Sequence, residues 1–146
     1  MAATSPDATV LAFDFGTRRI GVATGNTLTR AAQALTTVDA ARETERLAAI
    51  AALIDEWRPA QLVVGLPVHA DGTPHAMTAR ARRFARDIAA RFSLPVALVD
   101  ERWTSEMADV ALRAAGRGGR DGRGARDAAA AQIILQGWFD DAHDAA

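Results

Sequence analysis

The 146-residue sequence contains no cysteine and no lysine. The first absence excludes disulfides and thiolate metal sites and fits a reducing cytoplasm, so a cytoplasmic protein is expected. The second leaves arginine to carry all 17 basic side chains. With the many alanines this reflects genome composition, although arginine also grips phosphate through a bidentate fork. No stretch approaches the roughly 20 apolar residues of a membrane span, so no membrane partner is expected. Residues 1–9 have neither a basic n-region nor an apolar h-region and read as a flexible N-terminus rather than a secretory signal. There is no internal repeat and no dividing linker. One domain is expected over residues 10–140, followed by a C-terminal tail over 141–146, and it is long enough to bury roughly 68–70% of its unfolded surface.

The net charge of −1 conceals an asymmetry. Met1–Ala79 carries six arginines against eight acids, Arg80–Arg126 eleven against six, and Asp127–Ala146 four acids and no base. The balances are −2, +5 and −4. A polyanion would be held by the middle of the chain. A solvated helix face with a flexible loop has the same composition, so charge alone does not decide.

Val10–Phe13 is a short apolar run of the kind buried on both faces of a sheet, and it ends in Asp14. Phe15-Gly16-Thr17 leads into a second strand, Arg19 to Thr24, and Gln33–Val38 is a third. Asp39 is an expected N-cap for a helix from Glu43 to Trp57 with Leu47, Ile50, Ala51, Ile54 and Trp57 on one face, stopped at Arg58-Pro59. Gln61–Leu66 reads as a buried strand, Asp71-Gly72 as a turn, and Thr78–Phe92 as a helix with Ala81, Phe84, Ala85, Ile88 and Phe92 inward. Pro95–Val99 is a fifth strand. A helix capped by Thr104 or Ser105 runs to about Ala115. Gly116–Arg126 is expected to be a flexible Arg/Gly loop, since glycine at that density is costly to order. Asp127 then opens a last helix with Ala130, Ala131, Ile134, Leu135 and Trp138 buried. The fold class is α/β. Its five-stranded mixed sheet has three antiparallel strands joined by turns, then two parallel strands joined by helices.

In that arrangement Asp14 and Glu101 leave parallel strands at their C-terminal ends, the edge where open α/β sheets bind ligands. Asp127, at the start of the last helix, can pack against the same edge. Three carboxylates brought together repel unless a cation neutralises them. Hard oxygen donors without cysteine select Mg²⁺ or Mn²⁺ over Zn²⁺. Such clusters hold two metal ions that stabilise the attacking and leaving oxygens of phosphodiester cleavage. Each residue also has a plainer account: Asp14 as a hairpin-turn residue, Asp127 as an N-cap, Glu101 as the surface partner of an arginine. Only their convergence on one edge favours chemistry.

Four blocks, DFGTRRIGVA (Asp14–Ala23), VVGLPVHADG (Val63–Gly72), VDERWTSEMA (Val99–Ala108) and DAAAAQIILQGWFD (Asp127–Asp140), resemble the YqgF/RuvX family in order and spacing. The resemblance implies a RuvC-like protein of the RNase H-like fold, and a nuclease that matures the 5′ end of pre-16S rRNA. The same family is described as Holliday-junction resolvase-like, and the fold also suits a ribosome-assembly factor that binds without cutting. The family's acidic positions fall on Asp14, Glu101 and Asp127. Gly25-Asn26, His69 and Trp103 depart from its pattern. The DFGT segment alone also resembles the phosphate loop of actin-like kinases, but those need two lobes and this chain has room for one.

Nucleic acid is the expected partner, with RNA favoured and structured DNA possible, bound by a monomer or weak homodimer. Arg117, Arg120, Arg123 and Arg126 are expected to follow its backbone. Arg18, Arg19 and Arg102 adjoin the carboxylates and suit a phosphate clamp. His69 and His75 flank the Asp71-Gly72 turn and read as exposed loop residues before catalytic ones. Trp103 reads as a half-buried core residue before a stacking platform.

Overall fold

A computed structural model describes residues 8–67, 76–100 and 122–145, with 122–125 and 142–145 described as backbone alone. Five strands form one sheet in the order β3-β2-β1-β4-β5. They are β1 (Thr9–Asp14), β2 (Arg19–Asn26), β3 (Ala31–Asp39), β4 (Gln61–Leu66) and β5 (Val96–Asp100). The pairs β1–β2 and β2–β3 are antiparallel, whereas β1–β4 and β4–β5 are parallel. This is the mixed sheet that the connection lengths require: tight turns reverse the chain, and helical crossovers return it in the same sense. The fold is RNase H-like.

Helices α1 (Glu43–Trp57) and α2 (Thr78–Phe92) cover one face. There Leu11, Phe13, Ile20 and Val22 from the sheet meet Ile50, Phe84 and Ile88. Helix α3 (Gly122–Ala145) covers the other, where Val10, Ala12 and Ala23 meet Ala131, Ile134, Leu135 and Phe139. Successive residues of β1 and β2 thus alternate between two cores, as the two-residue period of a strand dictates. Trp138, expected inward, is only half-buried, and Phe139 takes the interior place.

Two expectations are corrected. Asp39 does not cap α1: it pairs with Arg19 as the last residue of β3, and the cap position falls to Arg42, which makes no side-chain capping bond. The ladder holds Asp39 in extended backbone, out of reach of the helix start. Helix α3 begins at Gly122 rather than Asp127, so Gly122–Arg126 of the expected 116–126 loop is helical. It also runs through Ala145. Once a packed segment has nucleated a helix, each added residue gains a hydrogen bond, which offsets the roughly 1 kcal/mol that a helical glycine costs. The expected helix over 104–115, and residues 1–7, 68–75, 101–121 and 146, lie outside the described residues.

The seat of α3 is set by small residues. A Cβ built on Gly21 would lie 1.9 Å from the Asp127 carbonyl oxygen, and one on Gly25 would lie 2.6 Å from the Phe139 ring. Gly21, Ala23 and Gly25 therefore form a stripe of minimal side chains on which the helix lies nearly backbone to backbone. Two glutamines fix its angle. The Gln132 amide donates to the Ala32 carbonyl at 3.1 Å, while the Gln136 side chain accepts from Ala32 N–H at 3.1 Å and donates to the Arg30 carbonyl at 3.0 Å.

Candidate active site

Asp14 ends β1 directly opposite Gly21 of β2. It follows Val10 and Ala12 at two-residue intervals, and both of those pack under α3, so its side chain leaves the sheet on the α3 face. Residues directly opposite in an antiparallel pair stand about 4.5–5.5 Å apart at Cα. The Asp127 backbone rests on Gly21, so the two aspartates meet at one corner of the sheet. On the other side of Asp14, Gly65 lies one step past the Phe13–Val64 register pair of β1 and β4. Asp14 thus has a glycine beside it on each neighbouring strand, and at Gly21 an added Cβ would meet the Asp127 backbone.

Asp127 is held from below. Arg19 Nε donates to its Oδ2 at 2.8 Å, and both side chains are about a quarter exposed, at 29% and 25% respectively. That hydrogen bond raises the Arg19 pKa above the ordinary arginine value, with the Asp127 charge adding to it. Arg19, expected beside the carboxylates, thus has one of them as its partner. The pairing follows from β2 geometry: Arg19 lies two residues from Gly21 on the same strand face.

The C-terminal ends of β1, β4 and β5 open on this same edge, with Leu66 and Asp100 in register at its far side. Glu101, the third expected carboxylate, lies outside the described residues, as do Arg102, Trp103, Arg117, Arg120, His69 and His75. The Arg123 side chain lies outside them too. Arg18 and Arg126 are exposed, Arg18 in the β1–β2 turn and Arg126 one residue ahead of Asp127. Among the described residues no three metal-capable side chains come together. Asp14 and Asp127 supply two hard oxygen donors.

Arg46 was not singled out from the sequence. It is 8% exposed, yet it sits in the first turns of α1. Its guanidinium donates to the Gly16 carbonyl and, at 2.7 Å, to the Ala40 carbonyl, and its carbon lies 5.2 Å from the centre of the Phe15 ring. One side chain therefore ties the turn after Asp14 to the β3–α1 junction. Burial lowers its pKa below the ordinary arginine value. The signal was available: Arg46 precedes Ile50 by one helical turn, on the face that meets the core.

Comparison with known proteins agrees with this geometry. The family model described as "RuvX: Holliday junction resolvase" matches residues 8–141. The chain belongs to the RuvX family. A relative from Dechloromonas aromatica, named "Putative pre-16S rRNA nuclease", is 55% identical over 135 residues, covering 92% of each chain. One of the same name from Chromobacterium violaceum is 55% identical over 131 residues, covering 89% of this chain and 96% of its own. Among solved structures, "T. thermophilus RuvC in complex with Holliday junction substrate" superposes with a TM-score of 0.59 at 20% identity, over 95% of this chain and 98% of that one. That likeness concerns the fold.

Proposed function

We propose that this RuvX-family protein is a metal-dependent nuclease hydrolysing phosphodiester bonds, with 5′-end maturation of pre-16S rRNA as its role. The observation that carries the reading is the placement of Asp14 beside Gly21 and of Asp127 over it, at the C-terminal end of β1. The names of relatives 55% identical to the chain support the RNA substrate, and the family description supports structured DNA as the alternative. Both substrates are polyanions, which the +5 balance of residues 80–126 suits.

The donor set fits Mg²⁺ or Mn²⁺: two carboxylates, no thiol anywhere in the chain, and glycine on both sides of Asp14. Asp14, Asp127 and Glu101 would hold the ions. A bound divalent cation supplies Lewis acidity, lowering the pKa of water and stabilising charge on the phosphoryl oxygens. The chain does the rest. Asp14 is fixed by its place in the ladder, and Asp127 is oriented by the Arg19 hydrogen bond. Arg18, Arg19, Arg102 and the arginines at 117, 120, 123 and 126 would neutralise the phosphate backbone. We place the protein in the cytoplasm as a monomer or weak homodimer; among the described residues no helix is long and apolar enough to cross a membrane.

The Arg19–Asp127 bond favours one other reading, an assembly factor that binds nucleic acid without cutting it, because the guanidinium already satisfies one of the carboxylates. Cleavage of a pre-16S 5′ leader, single-stranded RNA and a four-way DNA junction, each with Mg²⁺, Mn²⁺ or EDTA, separates the two. Cutting that needs metal and is lost in Asp14→Asn is the expected result. Binding without cutting in any metal would establish the assembly factor instead.

A further inference from the structure

The face of the sheet opposite Asp14's side chain carries a feature that the nuclease reading leaves unused. A cavity of about 380 Å³ lies between the β1–β2 turn, the start of α1 and the side of α2. Arg46 contributes its buried charge, and Arg80 and Arg83 reach it from the exposed surface of α2. Phe15 and Thr17, from the turn that follows Asp14, form the wall nearest the candidate site. Glu43 and Asp87 line it as well, leaving three guanidinium groups against two carboxylates.

Proximity of opposite charges normally ends in ion pairs. Here, among the described residues, none of these five side chains is ion-paired; the pairs formed elsewhere are Arg19–Asp127 and Arg58–Asp55. Arg46 donates to two carbonyls and lies over a ring face, contacts that hold the guanidinium in place without cancelling its charge. The surrounding field is positive too, since α2 carries Arg80, Arg82, Arg83, Arg86 and Arg91 against Asp87 alone. A fixed, uncancelled cation beside two exposed arginines suits a tetrahedral anion.

We propose that this cavity is a phosphate subsite that holds the nucleic-acid strand, through Arg80 and Arg83 above Arg46, on the side of the β1–β2 turn away from the carboxylates. The proposal rests on nucleic acid as the substrate but not on cleavage. It makes α2, rather than the 117–126 arginines alone, part of the binding track.

The test is binding of a labelled single-stranded RNA and a four-way DNA junction across a salt series without divalent metal, so that cutting plays no part. Arg80→Ala/Arg83→Ala is expected to weaken binding about tenfold near physiological salt. It should flatten the log–log salt slope for the single strand by about 1.4, two contacts at roughly 0.7 each. Arg82→Ala/Arg86→Ala removes the same charge from the same helix outside the cavity and is expected to change affinity by less than about threefold. Glu43→Gln should tighten binding about twofold, an effect of opposite sign that a merely structural change would not give. Equal losses in the two double variants, or an unaltered slope in the first, would overturn the subsite. So would thermal stabilisation by inorganic phosphate or a mononucleotide that Arg80→Ala/Arg83→Ala abolishes while strand binding stays unchanged, because the cavity would then serve a small free anion. Loss of cleavage with these binding effects intact would count against the nuclease and leave the subsite standing.

Discussion

The two faces of the sheet are packed by opposite means. Toward α1 and α2 the interior is built from bulk: Leu11, Phe13, Ile50, Phe84 and Ile88, with the Phe13 and Phe84 rings meeting edge to face at 6.0 Å. Toward α3 it is built from near-absence, the Gly21-Ala23-Gly25 stripe that lets a helix backbone rest on a strand. In the bulk, a lost methylene is met by partial relaxation of the side chains around it, at a cost in stability rather than in backbone position. A backbone resting on a backbone has nothing to repack. The thin face therefore carries the position on which the proposed chemistry depends, Asp127 over Gly21 beside Asp14. The thick face carries stability and, in the cavity beside Arg46, a margin for binding.

The comparison can be broken at either face. Ile88→Ala, at a fully buried position of α2, should cost about 2–5 kcal/mol in urea unfolding. Metal-dependent activity per folded molecule should stay near that of the parent. Gly21→Ala should cost less stability, about 1–3 kcal/mol, since the added methyl meets the Asp127 carbonyl 1.9 Å away and the helix must move. It should nevertheless lose activity out of proportion to that cost. If Ile88→Ala lost specific activity and Gly21→Ala kept it, the division of labour between the faces would be wrong.

Much of this was legible in the sequence. The bounds of α1, α2 and β4 follow from apolar period, with Arg58-Pro59 stopping α1. The parallel and antiparallel pairings follow from the length of each connection. The start of α3 was not legible, because glycine content speaks for the local chain and not for what a helix docked by Ala131, Ile134 and Leu135 can extend. Asp39 looked like a cap because its chemistry suits one, but its ladder partner Arg19 lies 20 residues away in sequence and settles the matter. The candidate site was half legible. Asp14 and Asp127 stand out in the sequence for their chemistry at element ends, and the structure places both at one corner of the sheet. What joins them, the bare surface of Gly21, shows in the sequence only as Gly-Val-Ala-Thr-Gly, a period-two run of small residues. Arg46 was hidden for the converse reason: a charged residue on an apolar helix face reads as an irregularity until the carbonyls it serves are in place.

The central claim is that Asp14 and Asp127 form the floor of a divalent-cation site. Titration of Mn²⁺ followed by electron paramagnetic resonance tests it without requiring turnover or a correct substrate. Binding to the parent protein that weakens at least about tenfold in both Asp14→Asn and Asp127→Asn is the expected result, a difference of roughly 1.4 kcal/mol or more. Equal Mn²⁺ affinity in the parent and both variants would contradict it.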